Sequence, residues 1–277
     1  MRRKLKTLLQ HPSGFVGFVL LAAILIMAAS AGTLYPEGPW PMDGTPTLWP
    51  GEEPAYLLGT DAMGRDLLAG LLYGARVSLA IGLAATAVAL LVGVTVGAFA
   101  GYHGGLIDDA LMRFTDAMQT IPSFLFAVVI VGVLTPSLLT IICSIALVSW
   151  PTVARLVRAE FLRLRSMDFV LACRTMGMSD VRIIFRQILP NCVAPIIVAS
   201  SVLVATAIII EASLSFLGLG DPNAMSWGTM IGAARPSLRT AWYMTLVPAA
   251  AVVATVLALN LIGDALNDAF NPRRRER

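Results

Sequence analysis

Residues 168–191 read DFVLACRTMGMSDVRIIFRQILPN, where Arg174, Arg182 and Arg186 stand beside Asp168, Asp180 and a stripe of apolar residues. Side chains of these types offer grip on another macromolecule, through charge and apolar contact, rather than bond-making chemistry. Elsewhere the chain presents no nucleophile–base pairing, metal cluster or cofactor loop. Two histidines, His11 and His103, exclude a His-rich metal site, and Cys143, Cys173 and Cys192 form no CxxC pair. A phosphate-binding loop needs a lysine, and the only lysines are Lys4 and Lys6, neither in a G-x4-G-K-[ST] run. The sequence therefore predicts no catalytic residue, no metal and no cofactor in this chain, and no disulfide framework. One isolated charge stands apart. Glu211 follows Ala207-Ile208-Ile209-Ile210 and precedes Ser215 by one turn. A charge at mid-bilayer costs on the order of 2.5–3.5 kcal/mol on insertion scales, so Glu211 is expected to face a pathway or a partner near the outer end of its span. Its two readings, with Ser215 beside it, are an outer gate or ammonium acceptor and a structural carboxylate bonded to the 218–228 backbone.

These residues need elements to hold them, and composition says which. The 277 residues are 57% hydrophobic and 13% charged, against about 25% charged in ordinary soluble domains. The apolar residues come in blocks close to the ~20 needed to cross a ~30 Å hydrocarbon core. Lipid leaves no partner for free backbone groups, so an all-α, polytopic bundle is expected. Six transmembrane helices are readable, at about 15–35, 77–100, 114–134, 138–158, 193–217 and 242–264. The first is read as an uncleaved span, although Ala29-Ser30-Ala31 resembles a cleavage site. Pro122, Pro151 and Pro248 are expected to kink or start their spans, and the Ala- and Gly-rich second span to pack closely. Residues 1–76 form an N-terminal tail, first span and external loop; residues 77–277 form a five-helix core containing a cytosolic loop at about 159–191.

Orientation follows from the basic residues. Arg2, Arg3, Lys4, Lys6, Arg113, seven arginines in 155–186 and four in 273–277 fall on one side, against Arg65, Arg76, Arg235 and Arg239 on the other. The positive-inside rule places both termini and the 159–191 loop in the cytosol. The net charge of +3 thus reflects topology, and no nucleic-acid partner is expected. Trp227 and Trp242 are placed near the outer interface, and Trp150-Pro151 reads as a kink and an interface anchor.

Within 168–191, Ser166 can cap a helix whose first turn holds Asp168. Phe169, Val170, Cys173 and Met176 make its apolar stripe. Gly177 ends it where a left-handed residue is needed. Ser179 and Asp180 can cap a second helix, with Val181, Ile184, Phe185 and Ile188 on one face and Arg182 and Arg186 on another; Pro190 stops it. Periodicity alone leaves two readings open, a protruding knob and an interfacial helix pair among lipid headgroups.

The run Leu171-Ala172-Cys173, three residues, Gly177, nine residues, Gln187-Ile188-Leu189-Pro190 resembles the EAA loop of ABC importer permeases, with Ala172, Gly177, Leu189 and Pro190 matching. Leu171, Cys173 and Gln187 depart from it, so the glutamate of the pattern is absent. GTDAMGRD at 59–66 with YGARVSL at 73–79, EASLSFLGLG at 211–220 with Ser226-Trp227-Gly228, and NLIGD at 260–264 look like the blocks of the dipeptide/oligopeptide/nickel permeases. The resemblance spans nearly the whole chain.

It implies a type I ABC importer transmembrane-domain fold in the bacterial cytoplasmic membrane. A homologous permease would form the translocation path with this chain, two ATPase subunits would bind ATP and Mg, and an extracytoplasmic solute-binding protein would deliver the cargo. The coupling surface it implies is Ala172, Cys173, Arg174, Gly177, Ser179, Asp180, Leu189 and Pro190. Asp61, Arg65, Asp66, Arg76 and Trp227 become candidate contacts for the sister permease or the binding protein, against an internal Asp–Arg network as the alternative. Peptides are the favoured cargo; nickel, glutathione or another small solute is the alternative, and an ATP-independent secondary transporter is the competing class.

Overall fold

The computed structural model describes residues 12–270. The helices are α1 (Pro12–Leu34), α2 (Leu67–His103), α3 (Gly105–Thr120), α4 (Ser123–Val133), α5 (Leu138–Arg165), α6 (Asp168–Thr175), α7 (Asp180–Ile183), α8 (Leu189–Phe216), α9 (Trp227–Ala234) and α10 (Tyr243–Phe270). A π-turn, Ile184–Ile188, joins α7 to α8 without interruption. The one β-pairing among the described residues is an isolated bridge between Thr60 and Asp66.

Five helices are long and apolar enough to cross a membrane, and the α3/α4 pair, bent by 79°, makes up to a sixth. The bend falls at Pro122, one of the prolines expected to kink or start a span, and divides the span expected at 114–134. The cause is local. Proline disfavours helical geometry in the residue before it, and Ile121 is extended at φ −85° and ψ 127°. α2 also begins ten residues before the expected span, capped by Asp66, whose carboxylate accepts from Leu68 N at 2.8 Å. The division expected at 76/77 therefore falls inside a continuous helix.

α2 and α5 pack most intimately, along Gly93, Gly97 and Gly101. A methyl group at Gly93 would lie 2.5 Å from Val153 Cβ, and one at Gly101 2.6 Å from Phe161 Cβ. Without a hydrophobic force between helices in lipid, such close backbone approach supplies the packing. The bundle has two distinct ends. One carries the α6–α7 knob; the other carries the 35–66 loop and α9.

That loop is folded rather than loose. Gly44 N bonds Gly64 O, Thr60 N bonds Leu48 O, and the Tyr243 hydroxyl donates to Leu48 O at 2.6 Å. Gly64, at φ +78°, lies so close to Gly44 that any side chain would strike its carbonyl. The glycine and aspartates of the 59–66 block thus build a turn.

Candidate functional site

At the knob end, Met167 rather than Ser166 is the N-cap of α6. Ser166 instead closes α5, donating to Arg163 O at 3.0 Å. Asp168 occupies the first turn of α6 as the sequence indicates. Of the expected stripe, Val170 and Cys173 are buried, while Phe169 and Met176 are exposed. Gly177 has φ +74°, and nothing lies within 4 Å of a side chain placed there. Its requirement is backbone conformation alone.

The second limb departs further from the helical pattern. Ile183, Ile184 and Ile188 are buried, whereas Val181 and Phe185, expected beside Ile184 and Ile188, are exposed. Pro190 does not stop the helix; it sits in the first turn of α8. A proline ring collides with the carbonyl four residues back and donates nothing to it. The π-turn over Ile184–Ile188 makes room for that ring and shifts the register of the buried face. Asn191 Nδ2 covers Gln187 O at 2.6 Å.

Sequence reasoning missed the residue that fastens the knob. Tyr102, next to last in α2, donates to Asp180 Oδ1 at 2.5 Å, and the Arg174 guanidinium stacks 5.0 Å above its ring. One aromatic side chain thus holds both limbs, on either side of Gly177. Arg165 ties the end of α5 to the same place, donating to Gly101 O and Tyr102 O, each at 3.2 Å. Below, Ile183, Ile184, Ile188, Cys173 and Cys192 pack with Val157, Phe161 and Leu164. Of the coupling residues inferred from the sequence, Ala172, Arg174, Gly177, Ser179, Asp180 and Pro190 are exposed; Leu189 is half-buried, and Cys173 lies in the core beneath them. The outer surface of the knob is apolar, with Leu171, Met176, Val181 and Phe185 exposed and Arg182 and Arg186 at its side.

The loop end is built differently. Glu211 is 1% exposed and accepts from Ser226 Oγ at 2.6 Å, Ser215 Oγ at 2.9 Å and Ser78 Oγ at 3.4 Å. These hydroxyls come from α8, α2 and the cap of α9, so one carboxylate knots three elements. Trp227 is fully buried, which corrects its placement at the interface. Its backbone N donates to Ser78 Oγ at 3.2 Å and its Nε1 to Leu71 O at 3.0 Å. Trp242 is half-exposed, while Trp150, expected as an anchor, is buried and stacked on Phe114 at 6.0 Å. Gly228 lets α9 approach; a methyl group there would lie 2.9 Å from Glu211 Oε1.

The remaining loop-end candidates make internal contacts. Asp61 Oδ1 accepts from Met63 N and Arg65 N. Arg65 lies 5.0 Å over Trp40, and Arg76 donates to the α1 carbonyls of Ala28 and Ala29. Burial, with the Asp66 carboxylate as hydrogen-bond partner, pushes the Tyr35 phenol up to about 12. Two further ion pairs join α3 to α5. Arg158 grips Asp108 with two bonds of 2.5 and 2.6 Å, and Arg155 meets Asp116 at 2.9 Å.

A broken-helix bundle with an exposed apolar knob at one end and a closed, folded loop at the other defines a multi-pass membrane transport subunit. Residues 93–276 match the family described as binding-protein-dependent transport system inner membrane component, and the chain belongs to it. It is 38% identical to the di/tripeptide transport system permease protein DppC of Pseudomonas aeruginosa, over 95% of this chain and 89% of that protein. The oligopeptide transport system permease protein OppC of Bacillus subtilis is 36% identical over 94% of this chain and 86% of its own length. The glutathione transport system permease protein GsiD of Pectobacterium atrosepticum is 39% identical, over 80% of this chain and 74% of that protein. Among solved structures, the inward-facing MetNI methionine ABC transporter matches with a TM-score of 0.60 and 17% identity, over 73% of this chain and 97% of that one, a likeness of fold.

Proposed function

We infer that this chain is the permease subunit of an ATP-driven importer that passes di- and oligopeptides. A homologous permease completes the path, two ATPase subunits bind and hydrolyse ATP with Mg at the knob end, and a solute-binding protein docks over the loop end. The observation that carries this reading is the knob: an apolar, arginine-flanked surface turned outward and clamped through Tyr102 and Arg165 to the ends of α2 and α5. An exposed apolar patch held rigidly on spanning helices suits a soluble partner that must move those helices. The names of relatives similar over most of this chain support peptides as cargo, and glutathione is itself a tripeptide. In this reading the knob is cytosolic, and so are both termini; their basic residues, in 1–11 and 271–277, lie outside the described residues. Glu211 and Ser215 then act by tying α9 to the spans at the outer mouth, where binding-protein contact is transmitted.

The test is uptake of a labelled dipeptide by proteoliposomes holding this chain, its sister permease, both ATPases and the binding protein. Uptake that requires ATP and stops when this chain is left out is the expected result. Uptake by this chain alone, without ATP, would replace the reading with a secondary transporter.

A further inference from the structure

Between α3 and α4 the helical ladder is interrupted inside the apolar layer. Gln119, just before the break, bonds Thr152 Oγ1 at 3.4 Å near the middle of α5. Phe124, just after it, shares a cavity wall with Ile209 in the far half of α8. The break therefore lies part-way along the bundle, between the knob end and the loop end. α3 ends on an extended Ile121, and α4 starts from Pro122 without a side-chain cap. Such an interruption leaves up to four carbonyls on one side and, since Pro122 has no N–H, the three amides of residues 123–125 on the other without helical partners. The Thr120 hydroxyl turns back onto its own helix, donating to Ala117 O at 2.7 Å. Residues 120–125 are all exposed on the surface of this chain.

The same face carries charge. Asp116 and Arg155 pair at 2.9 Å with side chains 63% and 49% exposed, and Thr152 is exposed one turn along α5 from Arg155. Hydrocarbon accepts neither an exposed ion pair nor irregular backbone; at depth both belong inside protein or against water. The face offers amides, carbonyls and both signs of charge together. That combination matches the main chain and zwitterionic ends of a peptide, whatever its side chains.

We propose that the α3–α4 break, with Asp116, Thr152 and Arg155, lines the hydrated translocation path and exchanges hydrogen bonds with the main chain of the passing peptide. This rests on the reading of the chain as a peptide permease and assigns the wall that cargo touches.

The test uses the complete transporter in proteoliposomes, with Cys143→Ser removing the exposed native thiol. Thr120→Cys, Ser123→Cys and Thr152→Cys are probed with a membrane-impermeant, charged thiol reagent; Val253→Cys and Leu91→Cys are outward apolar controls. Peptide uptake by the same preparations is measured in parallel. The expected result is labelling at 120, 123 and 152 at least about tenfold faster than at 253 or 91. A transported dipeptide presented with its binding protein and ATP slows that labelling. Labelling no faster than the controls, disulfide capture by the sister permease in place of labelling, or labelling indifferent to peptide would each overturn the proposal while uptake persists. Loss of uptake in the unsubstituted complex itself would instead overturn the peptide reading on which it rests.

Discussion

At one end of α8 the chain turns Leu171, Met176, Val181 and Phe185 outward; at the other it closes three hydroxyls around the Glu211 carboxylate. The first surface leaves its apolar side chains uncovered within the chain. The second is satisfied within the chain: donors and acceptor meet inside it, and Trp227 seals the cluster. The difference shows what rigidity does at each end. In the proposed reading the knob presents a shape to a subunit that changes state; its surface is open while its roots are clamped. The Glu211 cluster must hold α2, α8 and α9 in register, so its polar groups are hidden from lipid and solvent alike.

The comparison is broken most strongly at Gly177. Gly177→Val forces a β-branched residue into a left-handed conformation, and Gly177→Pro cannot adopt its φ at all. Both variants are expected to insert and assemble while peptide uptake falls more than about tenfold at retained ATP hydrolysis, because a misaimed knob no longer carries motion. Parallel assays of hydrolysis and uptake check this. Normal uptake would remove Gly177 from the coupling role.

Next in size is Glu211. Glu211→Leu strands three buried hydroxyls, and a loss of about 3 kcal/mol in stability is expected, read as a lower melting temperature of the detergent-solubilised complex. Glu211→Gln keeps the shape and most of the bonds and is expected to cost about 1 kcal/mol. If the Gln variant melted normally yet lost uptake, the carboxylate would be doing more than tying elements together.

Tyr102→Phe sharpens the other side of the comparison. It keeps the ring under Arg174 and removes only the bond to Asp180. A cost of about 1 kcal/mol is expected, appearing as a several-fold drop in uptake per ATP rather than loss of assembly. Pairing it with Asp180→Asn in a double-mutant cycle measures the link, since independent sites would simply add.

The smallest expected effect is at Tyr35. Its phenol, raised to about 12, favours the folded state fully below the unfolded tyrosine value of about 10 and loses that advantage as pH rises from there toward 12. Tyr35→Phe is therefore expected to leave the ultraviolet phenolate signal unchanged near pH 10.5, because Tyr35 does not contribute to it there.

The spans were legible because hydrocarbon thickness sets a length that composition reveals. Gly177 was legible because few residues tolerate its φ. What a helical period could not show was where the period changes. The π-turn before Pro190 moved Val181 and Phe185 outward, whereas the break at Ile121-Pro122 was legible as a proline expected to kink or start its span. Trp227 was misplaced because a lone indole at a span end fits an interface as well as a core; only Gly74, which admits it, carried the contrary signal. Tyr102 with Asp180, 78 positions apart, and Asp108 with Arg158, 50 apart, pair through tertiary packing that no local pattern encodes.

The proposed coupling role requires that the knob be held by a separate, ATP-hydrolysing subunit. A photo-crosslinking side chain placed at Met176 or Val181, both strongly exposed, tests it in the native membrane. An adduct joining this chain to an ATPase subunit is expected, with a yield that changes when hydrolysis is blocked. Adducts with lipid alone, or with a protein on the opposite side of the membrane, would contradict it.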